Sequence, residues 1–598
     1  MAGNLPQGID PAQSAKIRGK HQPTAASFMK SDAWLHPSHW SLLASSLHQA
    51  GVRRLVLCPG SRSAPLTLSL VRSDRFDYAV SVDERSAGFV ALGMALRYQE
   101  PVAVVCTSGT ALLNLGPAVA EAFFQRIPLV VLSADRPLGS VGHQRGQVIH
   151  QNGVFGEHVQ ASLCWVNQID STEAIQESYH ALQAILQTAC SQKGPVHINV
   201  PLQEPLYDVP DPLPKQAFES DLSSQEFLNI PTEFPNLPNE LKEAWNSALV
   251  QRQKIWLLAG MGAPDSELDR VLEQLLEQSP ACQLWREDLS NLRSGRRINE
   301  MAWNHALPEP PDFLISWGGP LVSKALGRCL ALNPRLLHWR IDPRGDAIDT
   351  YQRLDGVWAS EPVQALQSLF ELIPPFSYDS IAGDYGMNDL SKHLLLEQQI
   401  QKKYKDIPYS DSWAMNALRP HLQGARVHLG NSSLVRKFLA LPSTTDAPAF
   451  VHCNRGTSGI EGNVSTALGD ALGSKGSQEV WLLNGDLATA YDAGAWLVEP
   501  RPLLRVVLFN NQGGDIFRQI PGSSTQAECE TLFATPRPIH WESWCAGYGL
   551  PWRRVDSKES WEAGLAWLKA QEQSAVLEVS TLVEANREAE RQLRPNQP

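Results

Sequence analysis

Two short segments carry residue types that can hold a cation against a phosphate. Asn484-Gly485-Asp486-Leu487 follows the apolar run VWLL, and Asn510-Asn511-Gln512-Gly513-Gly514 follows RVVLF. In an open parallel sheet, ligands bind beyond the carboxyl ends of the strands, where such segments sit. Mg2+ takes oxygen ligands in near-octahedral geometry and keeps phosphate oxygens among them. The spacing therefore predicts one site. Asp486, the Asn511 side-chain oxygen and the Gly513 carbonyl hold Mg2+, while glycine backbone approaches a diphosphate. Either segment alone reads as an ordinary turn. Two of them, each ending a strand and about 25 residues apart, are far more specific.

The elements that must position these residues alternate along the chain. RRLVLC, YAVSV, PVAVVC and PLVVLSA read as buried strands, each followed by a helical stretch rich in Ala and Leu. That rhythm predicts parallel sheets with helices on both faces. It breaks after VHINVPLQ, where prolines 205, 210, 212 and 214 open a polar connector. It resumes through KIWLLAGMG, DFLISWGG and LLHWRID, then breaks again at IPPFSYDSIAGDYGMNDLSK. A third run carries RVHLG, AFVHCN, EVWLLNG and LLRVVLFNN. The expectation is an α/β chain of three doubly wound parallel-sheet domains, at residues 31–205, 240–375 and 405–585.

Composition narrows the class. The 598 residues exceed what one hydrophobic core supports. Lys and Arg number 51 against 63 Asp and Glu, a net charge of −12, which argues against a nucleic-acid partner. No apolar run is long enough to predict a membrane span. The first 30 residues are polar and read as a loose tail rather than a signal peptide. The nine cysteines are scattered, with no CxxC, and read as reduced thiols of a cytoplasmic protein.

The paired motifs resemble the GDG…NN signature of thiamine diphosphate (ThDP) enzymes, with Leu487 where most members have glycine. The three blocks resemble, in order, the pyrimidine-binding, central and diphosphate-binding domains of the ThDP decarboxylase type. On that resemblance Glu84, in Ser81-Val82-Asp83-Glu84-Arg85-Ser86-Ala87-Gly88, is the acid that protonates N1′ of the aminopyrimidine. By itself it reads as a favourable acid in a helix first turn. Finer motifs stand in order: Pro59-Gly60-Ser61-Arg62-Ser63, Thr107-Ser108-Gly109-Thr110-Ala111, Ser133-Ala134-Asp135-Arg136-Pro137, Gly430-Asn431-Ser432 and Arg455-Gly456-Thr457-Ser458-Gly459-Ile460-Glu461-Gly462. Together they resemble the 2-succinyl-5-enolpyruvyl-6-hydroxy-3-cyclohexene-1-carboxylate (SEPHCHC) synthase family, which carries GDL in place of GDG. The resemblance spans nearly the whole chain.

It implies a transferase that decarboxylates 2-oxoglutarate on ThDP, with Mg2+ or Mn2+. The succinyl carbanion equivalent then adds 1,4 to isochorismate, in menaquinone or phylloquinone biosynthesis. Two dianionic substrates call for arginine, whose planar fork pairs with carboxylates bidentately. The motifs supply Arg62, Arg136, Arg436 and Arg455, and the family pattern adds Ser61, Gln147, Lys324 and Ser432. Glu84, Gln147 and Arg436 are the expected catalytic residues. Thr107, Ser432, Ile460, Gly485, Leu487 and Asn511 join Glu84 and Asp486 around the cofactor. Ile460 would hold ThDP in its bent form, and Ile516 and Phe517 would wall off the succinyl chain. Arg436 and Ser432 are assigned mainly to 2-oxoglutarate; Arg136, Gln147 and Lys324 to isochorismate. Active sites are expected at the interface of a homodimer or homotetramer. Some relatives hold FAD in the central block; here Gly260-Met261-Gly262 is followed by Ala263-Pro264, and a lone GxG is a weak signal. Two alternatives remain: another ThDP enzyme with a smaller, less anionic acceptor, and a ThDP-binding protein without catalysis. The arginine set speaks against the first, and intact Glu84, Asp486 and Asn511 against the second.

Overall fold

A computed structural model describes residues 37–165, 172–213, 234–279, 281–373, 387–442 and 447–593. The N-terminal tail and the middles of both connectors lie outside the described residues.

Three sheets organise the chain. The first is built from β1 (Arg54–Leu57), β2 (Asp77–Ser81), β3 (Val102–Cys106), β4 (Leu129–Asp135), β5 (Ala161–Cys164) and β6 (Val196–Pro201). The second holds β7 (Ile255–Ala259), β8 (Cys282–Arg286), β9 (Arg296–Arg297), β10 (Phe313–Trp317), β11 (Leu337–Ile341) and β12 (Leu354–Trp358). The third holds β13 (Arg426–Leu429), β14 (Phe450–His452), β15 (Val480–Gly485), β17 (Arg505–Asn510), β18 (Trp552–Val555) and β19 (Ala575–Ser580). One short strand of the third block, β16 (Val498–Glu499), crosses over and joins the first sheet beside β2. It is antiparallel there, with Val498 opposite Ser81 and Glu499 opposite Val80, whereas all other pairings are parallel.

The strand orders are β16-β2-β1-β3-β4-β6-β5, β12-β11-β10-β7-β8-β9 and β14-β13-β15-β17-β19-β18. Every strand predicted from an uninterrupted apolar run is present. The edge strands β12 and β18 gave no such run, because each has one buried residue and polar or glycine residues interrupt it.

The pleat sends successive side chains to opposite faces, so each sheet separates two cores. Leu55, Leu57, Val105 and Leu132 face one core with Trp40, Leu47 and Leu186. Val56, Val104 and Val131 face another, which they share with Leu482, Val506 and Leu508 of the third sheet. The far face of the third sheet, with Val427, Leu483 and Phe509, shares a core with Trp256 and Leu258 of the second. A fourth core covers the remaining face of the second sheet. Sheets and cores thus alternate through one body. Between the first and third sheets lie the helices Glu84–Tyr98 and Asn463–Ser474. Their backbones touch: a Cβ at Gly93 would lie 2.0 Å from the Thr466 carbonyl oxygen, and one at Gly469 would lie 2.1 Å from that of Val90. Only glycine allows so close a crossing.

Candidate active site

In the third sheet the chain leaves β13 for β14 on one side, while β15 leads to β17 on the other. The strand order reverses between β13 and β15, and a crevice opens at their carboxyl ends. Gly430-Asn431-Ser432 follows β13, Gly485 ends β15, and Asp486 opens the short helix Asp486–Tyr491. The two sequence motifs meet directly. Asp486 Oδ2 accepts the Gly513 amide at 2.7 Å, and its Oδ1 accepts the Leu487 amide at 2.8 Å. Burial pushes the Asp486 carboxyl up to about 6, against the pull of those two amides.

Asn511 is 3% exposed, and its Nδ2 donates to Asp411 Oδ2 at 2.7 Å. A carboxylate only accepts, so this bond fixes which end of the amide faces Asp411. Asn511 Oδ1 is left buried with no hydrogen-bond partner. The Gly513 carbonyl accepts the Asp515 amide at 2.9 Å and keeps a second lone pair. A carboxylate, an orphaned amide oxygen and a carbonyl at one turn fit a hard divalent cation that also takes diphosphate oxygens. Among the described residues no group of three His, Cys, Asp or Glu offers an alternative metal cluster.

Around this rim stand the other predicted residues. Ser432, at φ 74, caps the helix Ser433–Leu439 by backbone alone, a strained conformation for a residue with a Cβ. Its carbonyl accepts from Arg436. Burial, and then the neighbouring Arg455 guanidinium, pull the Arg436 pKa below its usual value. Arg455 Nη1 donates to Asn431 Oδ1 at 3.0 Å, and its buried Nε has no partner. Ile460, in the loop before Gly462, is a large apolar side chain left 39% exposed, and Asn431 holds the preceding Gly459 carbonyl at 2.7 Å. Leu487 and Ile516 are half-buried; Phe517 is exposed and lies 6.0 Å from the Phe533 ring.

The first sheet has its own reversal, between β1 and β3. Gly60 follows β1 and presses on Thr107, which follows β3: a Cβ at Gly60 would lie 2.4 Å from that of Thr107. Glu84 opens the helix Glu84–Tyr98, but Asp83 does the capping, accepting the Arg85 and Ser86 amides at 2.9 and 3.4 Å. The half-buried Glu84 carboxyl is therefore free of that structural duty. Its charge adds to the effect of burial in raising the pKa of Cys58 and Cys106, which places it near the carboxyl ends of β1 and β3. Arg62 is buried and donates to the Leu202 carbonyl and to Glu204, both at 3.0 Å. Burial and the adjacent Arg136 lower the Arg62 pKa. Ser61 is exposed and bonds Tyr207 at 3.0 Å. Gln147, at φ 57, lays its backbone over Gly109.

The structure thus makes two cationic pairs, Arg62 with Arg136 and Arg436 with Arg455. Lys324 is exposed and starts the helix Lys324–Ala331. Its loop is held by Glu287, which accepts the Val322 and Ser323 amides at 2.9 and 2.7 Å, and by Glu300, which accepts the Ala325 amide at 3.2 Å. These carboxylates act on Arg436, and Glu287 is in turn acted on by Arg455. Within one chain the carboxylates that hold the Lys324 loop therefore interact with the Arg436–Arg455 pair.

Sequence reasoning missed the residues that hold these loops. Glu121, 1% exposed, accepts the Gly456 and Thr457 amides, both at 2.7 Å. It is the one acid in the apolar helix GPAVAEAFFQ, which could have flagged it. Gln151 accepts the Gly109 amide at 2.7 Å and donates to Asn199 at 2.9 Å, and Asn199 donates to Asp135 beside Arg136 at 2.8 Å. Nothing local in the sequence marks Gln151 or Asp411.

Comparison with known proteins identifies the family. Residues 40–159 match the family described as thiamine pyrophosphate enzyme, N-terminal TPP binding domain, the same cofactor under its other name. The chain is 35% identical over 551 residues to the 2-succinyl-5-enolpyruvyl-6-hydroxy-3-cyclohexene-1-carboxylate synthase of Desulfotalea psychrophila, covering 90% of this chain and 98% of that one. Proteins of the same name from Bacteroides thetaiotaomicron and Flavobacterium johnsoniae are 33% and 34% identical, over 90% and 89% of this chain and 94% of each relative. The chain belongs to the 2-succinyl-5-enolpyruvyl-6-hydroxy-3-cyclohexene-1-carboxylate synthase family of thiamine pyrophosphate enzymes.

Proposed function

We propose that this chain, in the cytoplasm, joins the succinyl unit of 2-oxoglutarate to isochorismate with loss of CO2, using ThDP and Mg2+ or Mn2+. The product is SEPHCHC, on the route to menaquinone or phylloquinone. The observation that carries the reading is the third-sheet rim, where hard oxygen donors and the Arg436–Arg455 pair stand together. ThDP, when bound, supplies a thiazolium that takes up the electrons released by decarboxylation. Asp486, Asn511 Oδ1 and the Gly513 carbonyl hold the cation, and Gly485, Leu487, Thr107 and Ile460 border the cofactor. Glu84 holds the proton at the aminopyrimidine nitrogen. Arg436, Arg455 and Ser432 bind the carboxylates of 2-oxoglutarate; isochorismate is received by Lys324 on that side and, across the subunit interface, by Ser61, Arg62, Arg136 and Gln147. Ile516 and Phe517 keep water from the reacting carbon.

Purified protein given ThDP, Mg2+, 2-oxoglutarate and isochorismate should yield the SEPHCHC mass. Turnover of 2-oxoglutarate at the same rate without isochorismate would remove the acceptor from the reading.

The active unit on this reading is at least a dimer, with Glu84 and Asp486 serving one cofactor from two chains. Val82, Leu113, Phe124, Tyr491 and Leu497, exposed apolar side chains on elements flanking the two rims, support it. Mixing inactive Glu84→Gln and Asp486→Ala chains should restore part of the activity. No recovery after proven subunit exchange would refute the shared site.

A further inference from the structure

Behind the turn Asn511–Gly514 lies a cluster of buried charges that the reaction does not use. Lys437 Nζ stands 3.3 Å from Asp411 Oδ2, 3.2 Å from Asp515 Oδ2 and 3.8 Å from Glu590 Oε1. All four residues are at most 9% exposed. Burial alone would lower the lysine pKa, but the three carboxylates outweigh it and hold the ammonium charged. Asp411 is pinned further: Thr581 donates to its Oδ1 at 2.7 Å, and its amide donates to Asn586 at 2.8 Å. Asp515 takes Gln519 Nε2 at 2.7 Å and gives its own amide to the Gly513 carbonyl.

Both arms of the cluster end on the turn that carries the cation donors. Asp411 holds the nitrogen end of Asn511, and Asp515 holds Gly513. Lys437 ties the two arms together. It sits one residue after Arg436, so one short helix serves the carboxylate-binding side with Arg436 and the back of the cation turn with Lys437.

We propose that Asp411, locked by Lys437 and Thr581, is a positioning residue that turns the Asn511 amide so that its oxygen faces the cation. An amide left to itself presents either end, and only the oxygen is a ligand for Mg2+. The proposal rests on the cation reading given above.

The test is titration of Mg2+ into the full-length protein with saturating ThDP. Asp411→Ala should raise the Mg2+ Kd at least about tenfold, the lower range for losing an outer-shell partner. Excess Mg2+ should restore ThDP binding, which a general folding defect would not permit. Asp411→Asn can turn either end of its own amide toward Asn511, so it should weaken Mg2+ binding measurably but less than Asp411→Ala. Glu590→Gln loosens the same cluster without touching the turn, so it should lower the melting temperature and leave Mg2+ affinity unchanged. Wild-type Mg2+ affinity in Asp411→Ala, or an equal loss in Glu590→Gln, overturns the proposal. Should Asp411→Ala not fold, Thr581→Val takes its place, and unchanged Mg2+ affinity there also overturns it. Asn511→Ala in the same titration separates the two levels. If it weakens binding and Asp411→Ala does not, only the positioning role falls; if Asn511→Ala binds normally, the cation reading falls with it.

Discussion

The first and third sheets are built alike and equipped differently. Leaving β16 aside, both follow the same order of their own strands: second, first, third, fourth, sixth, fifth. Each reverses between its first and third strand, and each presses a glycine after the first strand against the end of the third. Gly60 meets Thr107, and Gly430 meets Asn484, where added Cβ atoms would lie 2.4 and 2.3 Å from the neighbouring side chain. On the third rim Asp486 and the nitrogen end of Asn511 are fixed by other protein groups, while the buried oxygens Asn484 Oδ1 and Asn511 Oδ1 and the Arg455 Nε are left without partners. On the first rim the helix cap is delegated to Asp83, and Glu84 is left half-buried. One scaffold thus serves two tasks. On the proposed function, the rim that would hold a cation keeps free polar atoms where the ligand enters, and the rim that would move a proton keeps its acid out of helix capping.

Four measurements can break this comparison. Asp486→Ala should have the largest effect, weakening Mg2+-dependent ThDP binding by at least ~100-fold, beyond the range of outer-shell changes. Calorimetric titration reads this directly, and normal binding at low Mg2+ would put the cation elsewhere. Glu84→Gln should do the opposite: ThDP binding stays, while turnover falls by about 100-fold or more, as for a lost general acid. C2–H exchange of bound ThDP, followed by NMR, should slow in parallel; exchange at the wild-type rate removes Glu84 from the role. Arg136→Ala should raise the isochorismate KM by roughly 10- to 150-fold, the cost of about 1.5–3 kcal/mol for one charge-assisted contact. The first half-reaction with 2-oxoglutarate should stay intact, and stopped-flow loss of its intermediate would reverse the division of substrates. The smallest effect compares the glycines. Gly60→Ala and Gly430→Ala should each cost about 1–3 kcal/mol by overpacking. A wild-type melting temperature in either variant would show that the two reversals are not equally tight.

Much of this was legible in the sequence, for a physical reason. A strand buried on both faces must be apolar throughout, so β1, β3, β4, β7, β15 and β17 announce themselves. Asp486 and Asn511 stand out because each follows such a run at a strand's carboxyl end. The residues that hold the site in place were not legible. Glu121, Gln151, Glu287 and Asp411 act on backbone or side chains far along the chain, and nothing in their local sequence records that partner. The grouping of charges was hidden likewise. The arginines gave no sign that they pair two by two, or that the carboxylates holding the Lys324 loop interact with Arg436 and Arg455.

The strand that crosses between blocks has a consequence for the birth of the protein. The hydrogen-bonding edge of β2 is closed by Val498 and Glu499, which leave the ribosome roughly 400 residues after Ser81. At about 5–20 residues per second, the first sheet waits some 20–80 s with that edge uncovered. An open strand edge is a template for pairing with any other chain, including a neighbour on the same polysome. The exposed Asp77 at the head of β2 sets a charge there, one of the devices that keep such edges solitary. Nascent chains released before residue 498 should therefore be sticky in a way the finished protein is not.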